Sequence, residues 1–456
     1  MNKLSISMDI EKFFEFPHYI FMFFLTPFFW IIDKINNSLE IGKGRFLLKI
    51  NYPKKYHEQK IDKLRDEFKK CLNNGKGLDM SIRSQMDGIL ELNLSEKFIL
   101  VEPFVTINQI IEILSKTSLI LPCMSSDTSM TISEMIENGC VGSDSKKYGL
   151  FHHTCFEFEI LTAKGEVVVA KKNGGIGSGN NNALFYGIPL SGMSIGVLLS
   201  AKIRLVDKED VVKFLFKPVN IIDLGNEIKI CGERYKNSDF MDIIKKDDTT
   251  FVIAIGDMIK QKEGIKFSNN WDNNCNYCIK EGKEITRYMM LNYYLHRDES
   301  NIHDRSKLRK ILSKKLWKYN EIHNDYLVPL ENIDNILLKL CELNLSPKWM
   351  TLVNIPSIPG LLRQRYGKNI YFLNIRIKNE VPSSKSLKLK DLLNKFEEEI
   401  LYKNGFELMS NSMSLSHKNF WLMYDASLYQ WLRAKYESKA LFMDVFQWSI
   451  KENITN

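Results

Sequence analysis

Between Gly142 and Leu205 small-residue loops alternate with strand-like segments, and this order leaves few folds open to the chain. Phe156, Phe158 and Ile160 recur at every second position, a turn follows at Lys164-Gly165, and Val167, Val168 and Val169 resume an extended pattern. Alternation on both sides of a Gly-bearing turn predicts a β-hairpin, with Phe156, Phe158 and Ile160 on one face. After a Gly/Asn-rich loop, the segment SGMSIGVLLSAKIRL places Gly192 and Gly196 four residues apart, ahead of an apolar run. Without a Cβ in the way, paired glycines let backbone N–H groups approach a bulky ligand, so a function is expected here.

The rest of the chain bounds that function. With 456 residues there is room for two or three domains, and 44% hydrophobic with 26% charged residues is the balance of a folded globular protein. A net charge of +8 is a mild surplus with lysines and acids interspersed, and no nucleic-acid motif accompanies it, so no nucleic-acid partner is expected. The surplus also suits an anionic membrane surface. Eight scattered cysteines do not make a disulfide framework. Cys275 and Cys278 have C-x-x-C spacing, but neither a second pair nor nearby histidines complete a zinc site, and no metal is expected.

At the N-terminus, FFEFPHYIFMFFLTPFFWII (13–32) crowds aromatics beside Ile, Leu and Met. Its uninterrupted part is short of the ~20 residues a spanning helix needs, which leaves a spanning anchor, an interfacial helix and a buried core helix open; of these, membrane attachment is favoured, with residues 1–40 as the anchor. Ile61, Leu64, Phe68 and Leu72 predict an amphipathic helix over His57–Leu72. Strands are expected at Ile89–Leu94 and Phe98–Glu102, and Thr106 with Gln109 reads as a capping box opening a helix. The GGIGSG of the following Gly/Asn loop lacks the surroundings of a dinucleotide fingerprint. Past Val206 the elements lengthen, which places a domain boundary near Asp207. A basic helix is expected over Arg305–Lys318. Beyond it come a unit from DYLVPL with a helix to Leu343, strands Trp349–Asn354 and Tyr371–Ile377, and a helix Asp391–Tyr402. The FELM strand and one aromatic helix, Asn419–Tyr436, close the chain. Two α+β regions follow from this order, 41–206 and 207–456.

Several stretches carry a resemblance. LVEPFVTINQIIEIL, KYGLFHHTCFEFEILTAKGEVVVA, LFYGIPLSGMSIGVLLSAKIRL, DYLVPL, IPSIPG and FWLMYDASLYQWLRAKY resemble the delta(24)-sterol reductase (Diminuto/seladin) family of the FAD-linked oxidase superfamily. The resemblance implies an FAD domain of vanillyl-alcohol-oxidase (PCMH) type with two subdomains, an α+β cap domain, and an anchor in the endoplasmic reticulum membrane. It implies reduction of a sterol side-chain double bond between carbons 24 and 25, with FAD as carrier and NADPH as electron donor. It also implies flavin contacts from Thr131, Ile132, Gly139, Gly142, Ser143, Ser145, Tyr148 and Gly149, and from Gly192, Ile195 and Gly196. Three departures stand out: Ser133, Glu134 and Asn138 in place of small residues, a short early loop at Asn73–Gly88, and a short Tyr294–Lys318 segment. A Glu beside a pyrophosphate would repel it unless it points away. The alternative is therefore a family member with impaired or lost flavin binding, acting as a sterol-binding or scaffolding membrane protein. A flavin oxidase for a small polar substrate fits the apolar N-terminus and the C-terminal likeness poorly. His152 and His153 are expected at the surface, and Tyr293, Tyr294 and Tyr429 as buried packing. The catalytic acid and the oligomeric state are left open.

Overall fold

The computed structural model of the chain describes residues 54–74, 85–172, 180–268, 270–297, 319–409, 413 and 415–449. The apolar N-terminal segment, the GGIGSG loop, most of the early loop and the basic segment 305–318 lie outside the described residues. The chain divides into two units, Met1–Leu48 with Asp298–Tyr319 and Lys49–Arg297 with Asn320–Asn456. Apart from Tyr319, the described residues belong to the second, which is described by itself.

Its first layer is a five-stranded sheet in the order β1-β2-β6-β4-β5, formed by Ile89–Asn93, Phe98–Val101, Cys155–Thr162 (β4), Val167–Lys171 (β5) and Gly196–Arg204 (β6). All four pairings are antiparallel. The expected hairpin is β4–β5, turning through Gly165 at φ 78°. Phe156 does not share a face with Phe158 and Ile160. The pairing of β4 with β6 slips between Cys155 and Glu157, and that bulge turns Phe156 out to 39% exposure while Cys155 and Phe158 stay buried.

Helix α1 (Lys54–Asn74) covers this sheet through Ile61, Leu64 and Phe68, which cluster with Leu161, Val197, Leu199 and Phe442. A buried ionic clamp fixes it. His57 donates from Nδ1 to Glu102 and from Nε2 to Glu159, each at 2.7 Å, and Lys60 donates to Glu102 at 2.6 Å. Burial alone would lower the His57 pKa, but the two carboxylates override it and push it up to about 9. Helix α2 (Ile107–Leu114) opens with the expected capping box: Thr106 N–H donates to Gln109 Oε1 at 2.8 Å and Gln109 N–H to Thr106 Oγ1 at 3.3 Å.

The two-stranded ladder of β3 (Leu119–Ile120) with β7 (Val206–Asp207) precedes the second sheet. That sheet has eight strands in the order β11-β8-β10-β9-β13-β14-β12-β15: Val211–Asn220 (β8), Phe240–Lys245 (β9), Thr250–Ile259 (β10), Ile285–Met290 (β11), Tyr319–Pro329 (β12), Pro347–Ile355 (β13), Ile370–Pro382 (β14) and Phe406–Glu407 (β15). Strand alternation splits its core. Phe251, Ile253 and Ile255 pack in one cluster with the Leu224, Ile228 and Cys231 side of helix Ile221–Arg234, whereas Val252 and Ala254 pack with Cys275 and Cys278 of helix Trp271–Glu281. The C-x-x-C pair is thus packing material against the sheet.

The expected aromatic helix is two helices, His417–Met423 and Ala426–Lys435. It breaks at Tyr424, where the backbone becomes extended and Asp425 caps the second helix by accepting from Ser427 N–H. The FELM segment contributes only Phe406 and Glu407 to the sheet. After the break the chain packs on the first sheet's neighbourhood. Arg433 donates to the Ser194 carbonyl, and Ser438 Oγ donates to the Ile195 carbonyl at 2.6 Å.

Candidate functional site

The segment from Thr131 to Thr154 joins the two sheets, and its polar residues build the site. Thr131 and Glu134 form a second capping box, with Thr131 N–H donating to Glu134 Oε2 at 2.7 Å. Residues Ile132–Glu137 are a short helix. Glu134 is exposed and its carboxylate is spent on the cap, while Ser133 Oγ meets Glu137 at 2.7 Å. Ile132 is buried, and Gly139 turns the chain at φ 79°. Gly142 N–H donates to Ser145 Oγ at 3.0 Å, and a Cβ on Gly142 would lie 2.8 Å from Cys123 and Met124 backbone atoms. The neighbouring Asp144 carboxylate accepts the Cys123 N–H, at 2.9 and 3.1 Å to its two oxygens.

Asp242, fully buried on β9, is the hub that ties this segment to the second sheet. It accepts from Ser143 Oγ, Tyr294 OH and Trp349 Nε1, each at 2.6 Å, while Arg297 Nη2 donates to Ser143 Oγ at 2.9 Å. The Arg297 guanidinium also lies over the Tyr294 ring, 4.1 Å from its centroid. Burial, ahead of the charges around it, raises the Tyr294 pKa, so it stays a neutral phenol.

A cleft with about 550 Å³ of space between its lining atoms, part of it continuous with solvent, opens here. Ser125, Ser126, Ser143, Asp144, Tyr148, Asp239, Tyr294 and Arg297 are its polar lining, against walls that include Ile120, Leu121, Phe240 and Met258. Desolvation raises the Asp144 carboxyl to about 6 against the opposing Cys123 hydrogen bond. On the chemistry of its donors the cleft fits a flavin: the Arg297 cation, serine hydroxyls and two phenols edge its apolar walls, with Asp144 and Asp239 as the carboxylates the ligand would have to meet away from its phosphates.

The residues expected to touch flavin do not all meet there. Ser143 and Tyr148 line the cleft, and Ser145 lies buried beneath it. Gly149, at φ 79°, abuts the His153 ring and the Asn354 carbonyl. Gly192, at φ 53°, is covered by the Trp448 indole, 2.7 Å from where a Cβ would sit, and Ile195 is buried. Gly196 pairs with Thr162 inside the sheet, with Ile160 and Leu161 filling its Cβ space. His152 is not a surface residue and His153 is half-buried: their rings lie 4.3 Å apart, and burial drives both pKa values down. Tyr294 and Tyr429 are buried as expected, but Tyr293 is 44% exposed. Asp144 and Asp242 were not singled out from sequence. The one signal was an Asp inside the apolar strand FMDII, where an acid needs partners.

Residues 69–171 match the family described as FAD binding domain, a span that covers both capping boxes and the cleft segment. The chain is 24% identical to the delta(24)-sterol reductase of Homo sapiens, over 78% of this chain and 75% of that protein. Similarity to the delta(24)-sterol reductase homolog dhcr-24 of Caenorhabditis elegans covers 96% of both chains at 22% identity. The plant enzyme of Pisum sativum is 24% identical over 80% of this chain and 75% of its own. Over most of its length the chain is similar to delta(24)-sterol reductases of animals and plants. It carries an FAD-binding domain, as the resemblance implied. Among the described residues no helix is long and apolar enough to cross a membrane.

Proposed function

We propose that the chain is an FAD-dependent oxidoreductase that reduces the side-chain C24=C25 double bond of a sterol, with NADPH as electron donor, at the endoplasmic reticulum membrane. The relatives and the FAD-binding domain support the reaction class, and the apolar segment 13–32 supports the membrane. The observation that carries the reading is the cleft that brings Asp144 together with Ser143, Tyr148 and Arg297, with burial raising the Asp144 carboxyl to about 6. Reduction of an isolated alkene needs a hydride at one carbon and a proton at the other. Bound FAD, once reduced by NADPH, would supply the hydride. Ser143, Tyr148 and Arg297 would hold the flavin, the apolar walls would exclude water, and Asp144, protonated at its Oδ, would give its proton to the second carbon.

A second reading keeps the sterol and drops the flavin. The Trp448 indole over Gly192 favours it, because the position expected to lie open to a ligand is filled by the chain itself. One experiment separates the two. The protein, purified in detergent, is scanned for flavin absorbance before and after incubation with excess FAD, then mixed anaerobically with NADPH and a Δ24 sterol. Bleaching of a bound flavin and appearance of the saturated side chain are expected. No flavin uptake overturns the reductase and leaves the sterol-binding reading; bleaching without saturated product overturns the substrate.

A further inference from the structure

A second cavity, with about 710 Å³ of space between its lining atoms, part of it continuous with solvent, shares no lining residue with the cleft. Leu150, Phe185, Leu190, Ile355, Pro359 and Leu362 represent its walls, and its polar side chains are His152, His153, Lys172 and Tyr186. No Asp, Glu or Arg lines it, and burial drives both histidine pKa values down, so their rings are neutral. The lining therefore carries one charge, the Lys172 ammonium.

A lysine on an open surface carries its ammonium out to water. Lys172 is instead half-buried, and its Nζ donates to the carbonyl of His153, a second lining residue, at 2.6 Å. That bond uses one of three ammonium donors. Its neighbour Lys171 is paired with Glu157 at 3.0 Å, whereas among the described residues Lys172 forms no ion pair with a carboxylate. Burial lowers the Lys172 pKa, and the Arg204 charge acts in the same direction. A cation drawn partly out of water without a counter-charge is costly, so an anion brought to it is favoured over a neutral group. The walls set the rest of the ligand. A nucleotide brings several phosphates and ribose hydroxyls, more polar groups than one cation and a few neutral side chains can meet. A single anionic head on an apolar body matches both features.

We propose that this second cavity binds an amphiphilic carboxylate, an apolar chain ending in one acid group, with the carboxylate against Nζ of Lys172 and the chain along the Leu, Ile and Pro walls. The site goes beyond the reductase reading and does not rest on it. The test is isothermal titration of the full chain, held in amphipol, with decanoate, decanol and decylammonium. Wild type is expected to bind decanoate about tenfold or more tighter than either of the others, the worth of one charge-assisted hydrogen bond. Lys172→Met lowers decanoate affinity about tenfold and leaves decanol within about twofold, while Lys172→Arg keeps the preference for the acid. Leu362→Trp, which fills the cavity, weakens decanoate and decanol alike with the melting temperature held. Equal affinity for decanoate and decanol in wild type, or tighter binding of decylammonium, overturns the proposal without recourse to a variant. Undiminished decanoate binding in folded Lys172→Met, or in Leu362→Trp, overturns it as well. Displacement of decanoate by FAD or NADPH would reassign the cation to a nucleotide phosphate and overturn it; decanoate binding that persists in excess of both supports it, whether or not the chain reduces a sterol.

Discussion

At the scale of single residues the chain's chemistry rests on groups that other groups hold in unusual states. Asp144 is expected to act only when protonated, so the sterol step should slow as pH rises through about 6, while bleaching of the flavin by NADPH should not follow that profile. Asp144→Asn should cut product formation about 100-fold or more and leave the NADPH half-reaction within a fewfold, as stopped-flow absorbance would read. His57 gives the opposite dependence in stability. Its folded pKa of about 9 stands above the unfolded 6.5, so the clamp's contribution is complete below 6.5 and is lost as pH climbs to about 9. Thermal melts between pH 6.5 and 9 should show a decline worth about 3 kcal/mol that His57→Gln flattens. None of this was legible in the sequence. His57, Glu102 and Glu159 are 45 and 102 positions apart, and only the folding of α1 onto the sheet makes one clamp of them.

Elements were far more legible, because local rules govern them. The capping box at Thr106 and Gln109 and the alternation into β4 and β5 are written in neighbouring residues, and the structure keeps them. Failures came where a local pattern is overridden. A bulge in β4 exposes Phe156, and an extended Tyr424 splits the last aromatic helix. Glu134, read as an intruder near phosphate, is a helix cap. Glu134→Ala is expected to lower stability by about 0.5–2 kcal/mol in denaturant titrations and to leave FAD affinity within twofold. The glycines of the expected cradle reverse the same lesson, since several are glycine to admit the protein's own atoms. Gly192→Ala meets both a positive φ and the Trp448 ring, so it should destabilise by about 2–3 kcal/mol, and pairing it with Trp448→Ala should give less than the sum of the single losses.

Across the whole molecule the two sheets share one continuous hydrophobic cluster, running from Ile89 of β1 to Val445. The polypeptide's last described residues lock its first layer: Arg433 reaches the carbonyls of Ser194, Met443 and Phe442. Arg433→Ala would leave those buried acceptors unmet, and a loss of about 2–4 kcal/mol is expected from chemical denaturation, with both layers melting in one transition. The Ser194 carbonyl and the Arg433 guanidinium are separated by 239 positions. On a ribosome adding about 5–20 residues each second, that carbonyl waits roughly 12–48 seconds for its partner to be made. The first layer therefore emerges with an open seam, and a nascent chain stalled anywhere before Arg433 should present that seam to chaperones.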